Sequence, residues 1–171
     1  ASPAMRILLV IGLGGAVGSV ARFLLSQQVG RWLGGGYPWG TLTVNVAGGL
    51  VMGIVAGLIV GRAISSPELR ALLTFGLLGG FTTFSAFSLE VVDLFGRGAP
   101  ATALGYAGVS VIASCVALAG GLVAVVLEGG EASVGALEDV EAPPEEWRAE
   151  RTPRVDVLGE PYVGGKREAG E

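Results

Sequence analysis

Residues 71–90 read ALLTFGLLGGFTTFSAFSLE, and the fold turns on what this stretch can and cannot be. Residues 71–89 carry no ionisable side chain, close to the roughly 20 residues needed to cross about 30 Å of hydrocarbon. Yet Gly79-Gly80 followed by Thr82-Thr83 is poor material for a continuous helix, since glycine in a helix interior costs about 1 kcal/mol relative to alanine. An apolar segment with such a fault suits a membrane helix that breaks, where unwound carbonyls can coordinate a cation. Non-helical backbone at that depth is tolerated only inside protein or along a cavity. Phe84 and Phe87, three apart, project in similar directions with Ser85 and Ser88 beside them. Aromatic edges carry positive partial charge, so two ring edges could help hold a small anion; a Phe pair also serves plain packing.

Working outward, three more charge-free runs appear: 7–21, 32–61 and 98–127. Helices are expected near Ile7–Gln28, Thr41–Gly61, Ala71–Phe95 and Ala101–Leu127, the first containing Arg22 and the third Glu90 and Asp93. Short links, Gly30–Trp39, Arg62–Arg70 and Gly96–Pro100, join them. The fold class is therefore an all-α membrane protein with four transmembrane helices and a break in helix 3. Met5-Arg6 before an apolar run imitates a signal peptide, but the run continues to Leu25, which favours a retained helix.

Composition agrees. The chain is 51% hydrophobic and only 15% charged, with 30 glycines and mean hydropathy +0.64, whereas soluble domains average about 25% charged residues and about 7% glycine. The net charge of −4 averages two different polymers. Residues 1–127 hold six Arg, no Lys and three acids; residues 128–171 hold five cations and twelve acids. The expected organisation is a four-helix transmembrane domain over 1–127 and an acidic, mostly disordered tail over 128–171, too polar to bury the surface that ordering requires. No His and a single Cys remove zinc clusters, His-based triads and disulfide frameworks. Cys115 lies in an apolar run as a small hydrophobe. The front segment lacks the clustered Lys and Arg of a nucleic-acid binder, so no nucleic-acid partner is expected, and no side chains are arranged for catalysis.

With an even number of spans, Arg6, Arg62 and Arg70 share one side with the tail and Arg31 and Arg97 the other, with Arg22 near that end. That balance gives almost no positive-inside bias. Dual topology, two copies pairing antiparallel, is an expectation; a single weakly favoured orientation is the plain alternative.

Helix 1 carries Gly12, Gly14 and Gly18 ahead of Arg22. A dinucleotide-binding turn is one reading, but no acid occurs before Glu68 to take the ribose. The better reading is a close-packing face, with Gly14, Gly18 and Arg22 recurring every fourth residue. Arg22 is costly in lipid and should face a wet vestibule or snorkel to the interface. In helix 2, Thr41 and Asn45 share a face, and Gly49, Gly53 and Gly57 form a second small-residue ladder. Asn45 must find a partner, as interhelical glue or as a pore-lining amide. Helix 4 carries hydroxyls at Thr102, Tyr106, Ser110 and Ser114. These either bond back to their own helix or form a track of donors opposite Asn45.

Together these blocks resemble the Fluc (CrcB) fluoride channel family. The resemblance rests on Gly14-Gly15-Ala16-Val17-Gly18 leading to Arg22-Phe23, on Thr41-Leu42-Thr43-Val44-Asn45 with Gly48, and on Gly79-Gly80-Phe81-Thr82-Thr83-Phe84-Ser85-Ala86-Phe87-Ser88. It covers about residues 5–127 and excludes the tail. It implies an antiparallel dual-topology homodimer in the cell inner (plasma) membrane, surrounded by lipid, that passes fluoride passively through two pores. It implies a structural sodium ion at the dimer centre, held by the carbonyls of Gly79 and Thr82. It makes Phe84 and Phe87 the pore phenylalanines and Asn45, Ser85 and Tyr106 polar pore residues beside Thr41. Arg22 would stand near a vestibule and Glu90 near an exit. The family usually has Thr where this chain has Ala86. The acidic tail is also atypical, and a tail that resists translocation would make a homologous subunit the partner instead. Neutral amides, hydroxyls and ring edges suit a small, strongly hydrated anion, which must be desolvated without being held too tightly. Two other readings remain: a small proton-coupled multidrug exporter of similar size, which needs a membrane-centred carboxylate that only the late Glu90 could supply, and a soluble nucleotide-binding enzyme.

Overall fold

A computed structural model describes residues 2–129. Six α-helices and one π-helical stretch make up four passes: α1 (Pro3–Leu33), α2 (Trp39–Val60), α3 (Pro67–Ala71) running through the π-helical Leu72–Leu78 into α4 (Gly79–Phe81), α5 (Phe84–Gly96) and α6 (Pro100–Glu128). The described residues contain no strand, which removes the nucleotide-binding reading. The acidic segment 130–171 lies outside the described residues.

Two helix starts fall four residues earlier than expected, and the other two fall one or two earlier. The Ser2 hydroxyl accepts from Met5 N–H at 3.2 Å and Pro3 opens the first turn, so α1 begins at Pro3 rather than Ile7. It also runs on through Gln28 to Leu33, ending on Gly34 at φ 86°, whose N–H donates to Gly30 O. At about 1.5 Å per residue this helix is longer than the hydrocarbon is thick, so its polar ends reach the interface. Similarly, the Ser66 hydroxyl caps Leu69 N–H at 3.3 Å, with Pro67 and Glu68 in the first turn. The third pass thus starts at Pro67, within the stretch 62–70 expected to be a link. Proline suits the first helical turn, where its missing N–H is no loss, and a Ser cap with an acid behind it is a helix start.

Packing follows the glycines. A Cβ on Gly14 would stand 2.8 Å from Leu72 Cδ1, and one on Gly18 would run into the Leu77 carbonyl. The helix 1 ladder is therefore the face against which the π-helical stretch lies. Gly49 and Gly53 press on the backbone of Ser114 and Leu118 and Gly57 on Val125, while Gly121 returns the contact against Leu50, locking α2 to α6. Such close approach is how helices associate where lipid removes the hydrophobic drive. In each pass only 11–28% of the most apolar window is buried. Leucines, valines and phenylalanines such as Leu8, Phe75 and Val92 face outward. That outer surface is built for lipid or a partner, and water would not tolerate it.

Candidate functional site

The break falls at Thr82-Thr83, two residues beyond the glycine pair. Gly79 and Gly80 are still helical, whereas Thr82 (φ −77°, ψ 158°) and Thr83 (φ −152°, ψ 122°) are extended. Thr82 N–H makes the last helical bond, to Leu78 O at 2.9 Å. Thr83 N–H then turns to Asn45 Oδ1 at 2.9 Å, and Asn45 Nδ2 donates back to Thr83 O at 3.0 Å. One amide thus stands in for a stretch of helix, completing the backbone of the break as buried polar groups require. The Thr83 hydroxyl accepts from Ala86 N–H at 3.2 Å and caps α5.

An unbroken helix would have carried the Thr83 and Ala86 N–H groups to Gly79 O and Thr82 O, four residues back. Both donors are diverted, to Asn45 and to the Thr83 hydroxyl. By contrast, Gly80 O accepts from Ser19 Oγ at 3.4 Å. The two carbonyls named from sequence as cation ligands are thus among the four, Gly79 O to Thr82 O, that the break strips of helical donors. Hard oxygen donors of this kind suit an alkali cation.

Beside the break lies an open groove of about 450 Å³, lined among others by Asn45, Thr83, Phe84, Phe87, Ser110 and Ser114. The hydroxyl stripe of α6 does lie opposite Asn45, through Ser110 and Ser114. Ser110 is 4% exposed, and its side chain sits beside the Tyr106 hydroxyl, one turn back on the same helix, on the wall of the groove. The phenyl rings of Phe84 and Phe87 are 5.4 Å apart and tilted at 44°, but their surroundings differ. Phe87 is 9% exposed and stacks 5.4 Å from Tyr106, while Phe84 is 76% exposed.

One turn outward from the groove, Glu90 is clasped by two hydroxyls. Thr41 Oγ1 donates to Oε1 and Tyr106 OH donates to Oε2, both at 2.6 Å. Thr41 and Tyr106 are buried. The carboxylate is accordingly the acceptor at the centre of a cluster within one subunit, joining α2, α5 and α6.

The structure thus brings together Asn45, Phe84, Phe87 and the break in one groove, and Thr41, Tyr106 and Glu90 in an adjoining cluster. Ser85 is exposed, its hydroxyl 3.3 Å from that of Thr83. Arg22 is half-buried one turn beyond Gly18 and does not line the groove. The importance of Thr83 and Ser110 exceeds what the sequence assigned them. A Thr at the start of Thr83-Phe84-Ser85-Ala86 is a helix-cap signal, whereas nothing in the sequence marks Ser110 as a buried hydroxyl of its stripe.

Four passes, a helix broken inside protein, and neutral donors gathered on a groove define a multi-pass membrane protein organised around a polar path. A family model described as "CrcB-like protein, Camphor Resistance (CrcB)" matches residues 9–122. Relatives from Rhodospirillum centenum (48% identical over 118 residues) and Chelativorans sp. (50% over 118) each align with 69% of this chain and 94% of their own length. One from Phenylobacterium zucineum is 49% identical over 119 residues, 69% of this chain and 94% of its own. All three are named fluoride-specific ion channel FluC. The chain belongs to the CrcB family.

Proposed function

We infer that the chain is a fluoride channel of the bacterial plasma membrane, not an enzyme, passing the ion passively and so lowering fluoride in the cytoplasm. The observation that carries this reading is the groove that gathers the Ser110 hydroxyl, the Asn45 amide and the Phe87 ring, in a chain whose relatives bear the fluoride-channel name. A dehydrated fluoride needs donors and positive edges in place of water, and each must hold it weakly enough to let it go. Ser110 supplies a buried hydroxyl on the groove wall, Asn45 retains one amide hydrogen beyond its bond to Thr83, and the two phenyl rings supply edges. We assign Phe84, Phe87, Asn45, Ser85 and Tyr106, with Thr41, to the anion path, Arg22 to its vestibule and Glu90 to its exit. The exporter reading needs a free carboxylate to carry protons, and Glu90 is instead held by Thr41 and Tyr106.

Two further parts of the proposal concern assembly. The functional unit is an antiparallel homodimer, supported by the balanced arginines and the outward apolar surface. A sodium ion sits at its centre, held by Gly79 O and Thr82 O, supported by the diversion of their helical donors. Bound there, such an ion would add fixed positive charge beside the break. The test is growth on millimolar fluoride of a bacterium lacking its own fluoride exporter. Rescue by this chain and not by Asn45→Asp supports the reading; equal growth with and without the chain contradicts it.

A further inference from the structure

Three elements step outward from the groove in register. Thr41 lies one turn from Asn45 towards the start of α2, Tyr106 one turn from Ser110 towards the start of α6, and Glu90 three residues past Phe87 on α5. Those three outer residues are the hydrogen-bonded cluster. Four residues before Thr41 stands Tyr37, in the short link ahead of α2. Its ring lies 5.4 Å from Tyr106 at an interplanar angle of 85°, and 4.5 Å from Trp39. Phe84, Phe87, Tyr106 and Tyr37 therefore form an unbroken run of rings, each 5.4 Å from the next, from the break to the surface link.

We propose that Tyr37 is the outermost residue of the anion path, past which fluoride enters and leaves the Thr41–Glu90–Tyr106 cluster. The inference rests on the fluoride-channel reading and extends it. An ion crossing this end must shed or regain water in steps, and a neutral ring offers a weakly positive edge without a strong binding site. Tyr37 is half-buried, so it can touch both the cluster and the aqueous phase. Burial pushes its phenol above the ordinary tyrosine value, which keeps it uncharged at physiological pH.

The experiment places a single thiol at Tyr37. Fluoride and chloride efflux from liposomes are measured first on the unsubstituted protein; Cys115, the only cysteine, is next replaced by Ser, and this background protein is the reference. Tyr37→Cys is then added and modified from both sides with methanethiosulfonate reagents carrying either a sulfonate or a trimethylammonium group. Charge at the mouth of an anion path acts through its field, so the sulfonate should lower fluoride efflux about tenfold more than the trimethylammonium. A merely structural Tyr37 would respond to the bulk of the two reagents and not to their sign. Complete reaction with equal efflux for both overturns the proposal. If Tyr37→Cys does not insert, Tyr37→Lys and Tyr37→Glu replace it: fluoride efflux about tenfold higher for Lys supports the proposal, and equal efflux overturns it. Unsubstituted protein with no preference for fluoride overturns both this inference and the channel reading, and is measured before any change at Cys115, which lines the groove, or at Tyr37.

Discussion

Asn45 and Thr83 are joined by two reciprocal hydrogen bonds, Thr83 N–H to Oδ1 at 2.9 Å and Nδ2 to Thr83 O at 3.0 Å. The side chain of α2 thereby reads the backbone of the broken helix as a neighbouring strand would. Asn45→Asp keeps the acceptor and loses the donor, setting a carboxylate oxygen against Thr83 O. A buried carbonyl left so costs about 3 kcal/mol, and the new charge repels an anion. We expect a lower unfolding temperature in detergent and fluoride efflux reduced more than about tenfold, since about 1.4 kcal/mol is already that factor.

The Glu90 cluster gives a second prediction. Tyr106→Phe removes the hydroxyl that satisfies Oε2, leaving a charged acceptor short of a donor, at a cost of about 2 kcal/mol. Thr41→Val does the same to Oε1. Because both act on one carboxylate, the double variant should depart from the sum of the singles by more than about 0.5 kcal/mol. A denaturation cycle checks this; strict additivity would show that the two hydroxyls act independently.

The two phenylalanines should separate stability from transport. Phe87→Ala opens a cavity beside Tyr106, for which losses of about 3 kcal/mol are typical, so both unfolding temperature and efflux should fall. Phe84 is mostly exposed within the subunit, so Phe84→Ala should leave the unfolding of the subunit nearly unchanged while reducing fluoride efflux.

Gly80 tests the contact between α1 and the third pass. A Cβ there would stand 2.5 Å from Gly15 O, which is backbone and cannot turn aside. Gly80→Ala should force the helices apart, at about 1–3 kcal/mol, and carry the break away from Asn45. Gly12→Ala, on α1 with open space around it, serves as the control and should be neutral.

The sodium assignment predicts that thorough replacement of sodium by N-methylglucamine lowers both dimer stability and fluoride efflux, each restored by sodium. Dimers and efflux indifferent to the exchange would remove Gly79 and Thr82 from that role.

Much of this was open to reading in the sequence, for identifiable reasons. The four passes follow from charge-free runs, and the small-residue ladders of α1 and α2 follow from a four-residue period that geometry makes a single face. The break was visible as a glycine pair before two threonines, yet its position was not. Gly79 and Gly80 stay helical, with Gly80 pressed against Gly15 of α1, and the chain turns only where Asn45 can complete the backbone. Pro67 shows the opposite case: a helix start signal inside a stretch whose flanking Arg62 and Arg70 make it read as a link. Asn45, left open between glue and pore donor, has one amide hydrogen for each use. The Thr41–Glu90–Tyr106 cluster joins residues as far as 49 apart in sequence, a pairing that no local pattern announces. Tyr37 was invisible for the same reason.

The central claim is most directly tested by reconstituting the protein in liposomes and comparing the efflux of fluoride and chloride under the same gradient. The groove of neutral donors predicts fast, passive fluoride efflux, far above that of chloride and independent of a proton gradient. Fluoride efflux no faster than chloride would contradict the account.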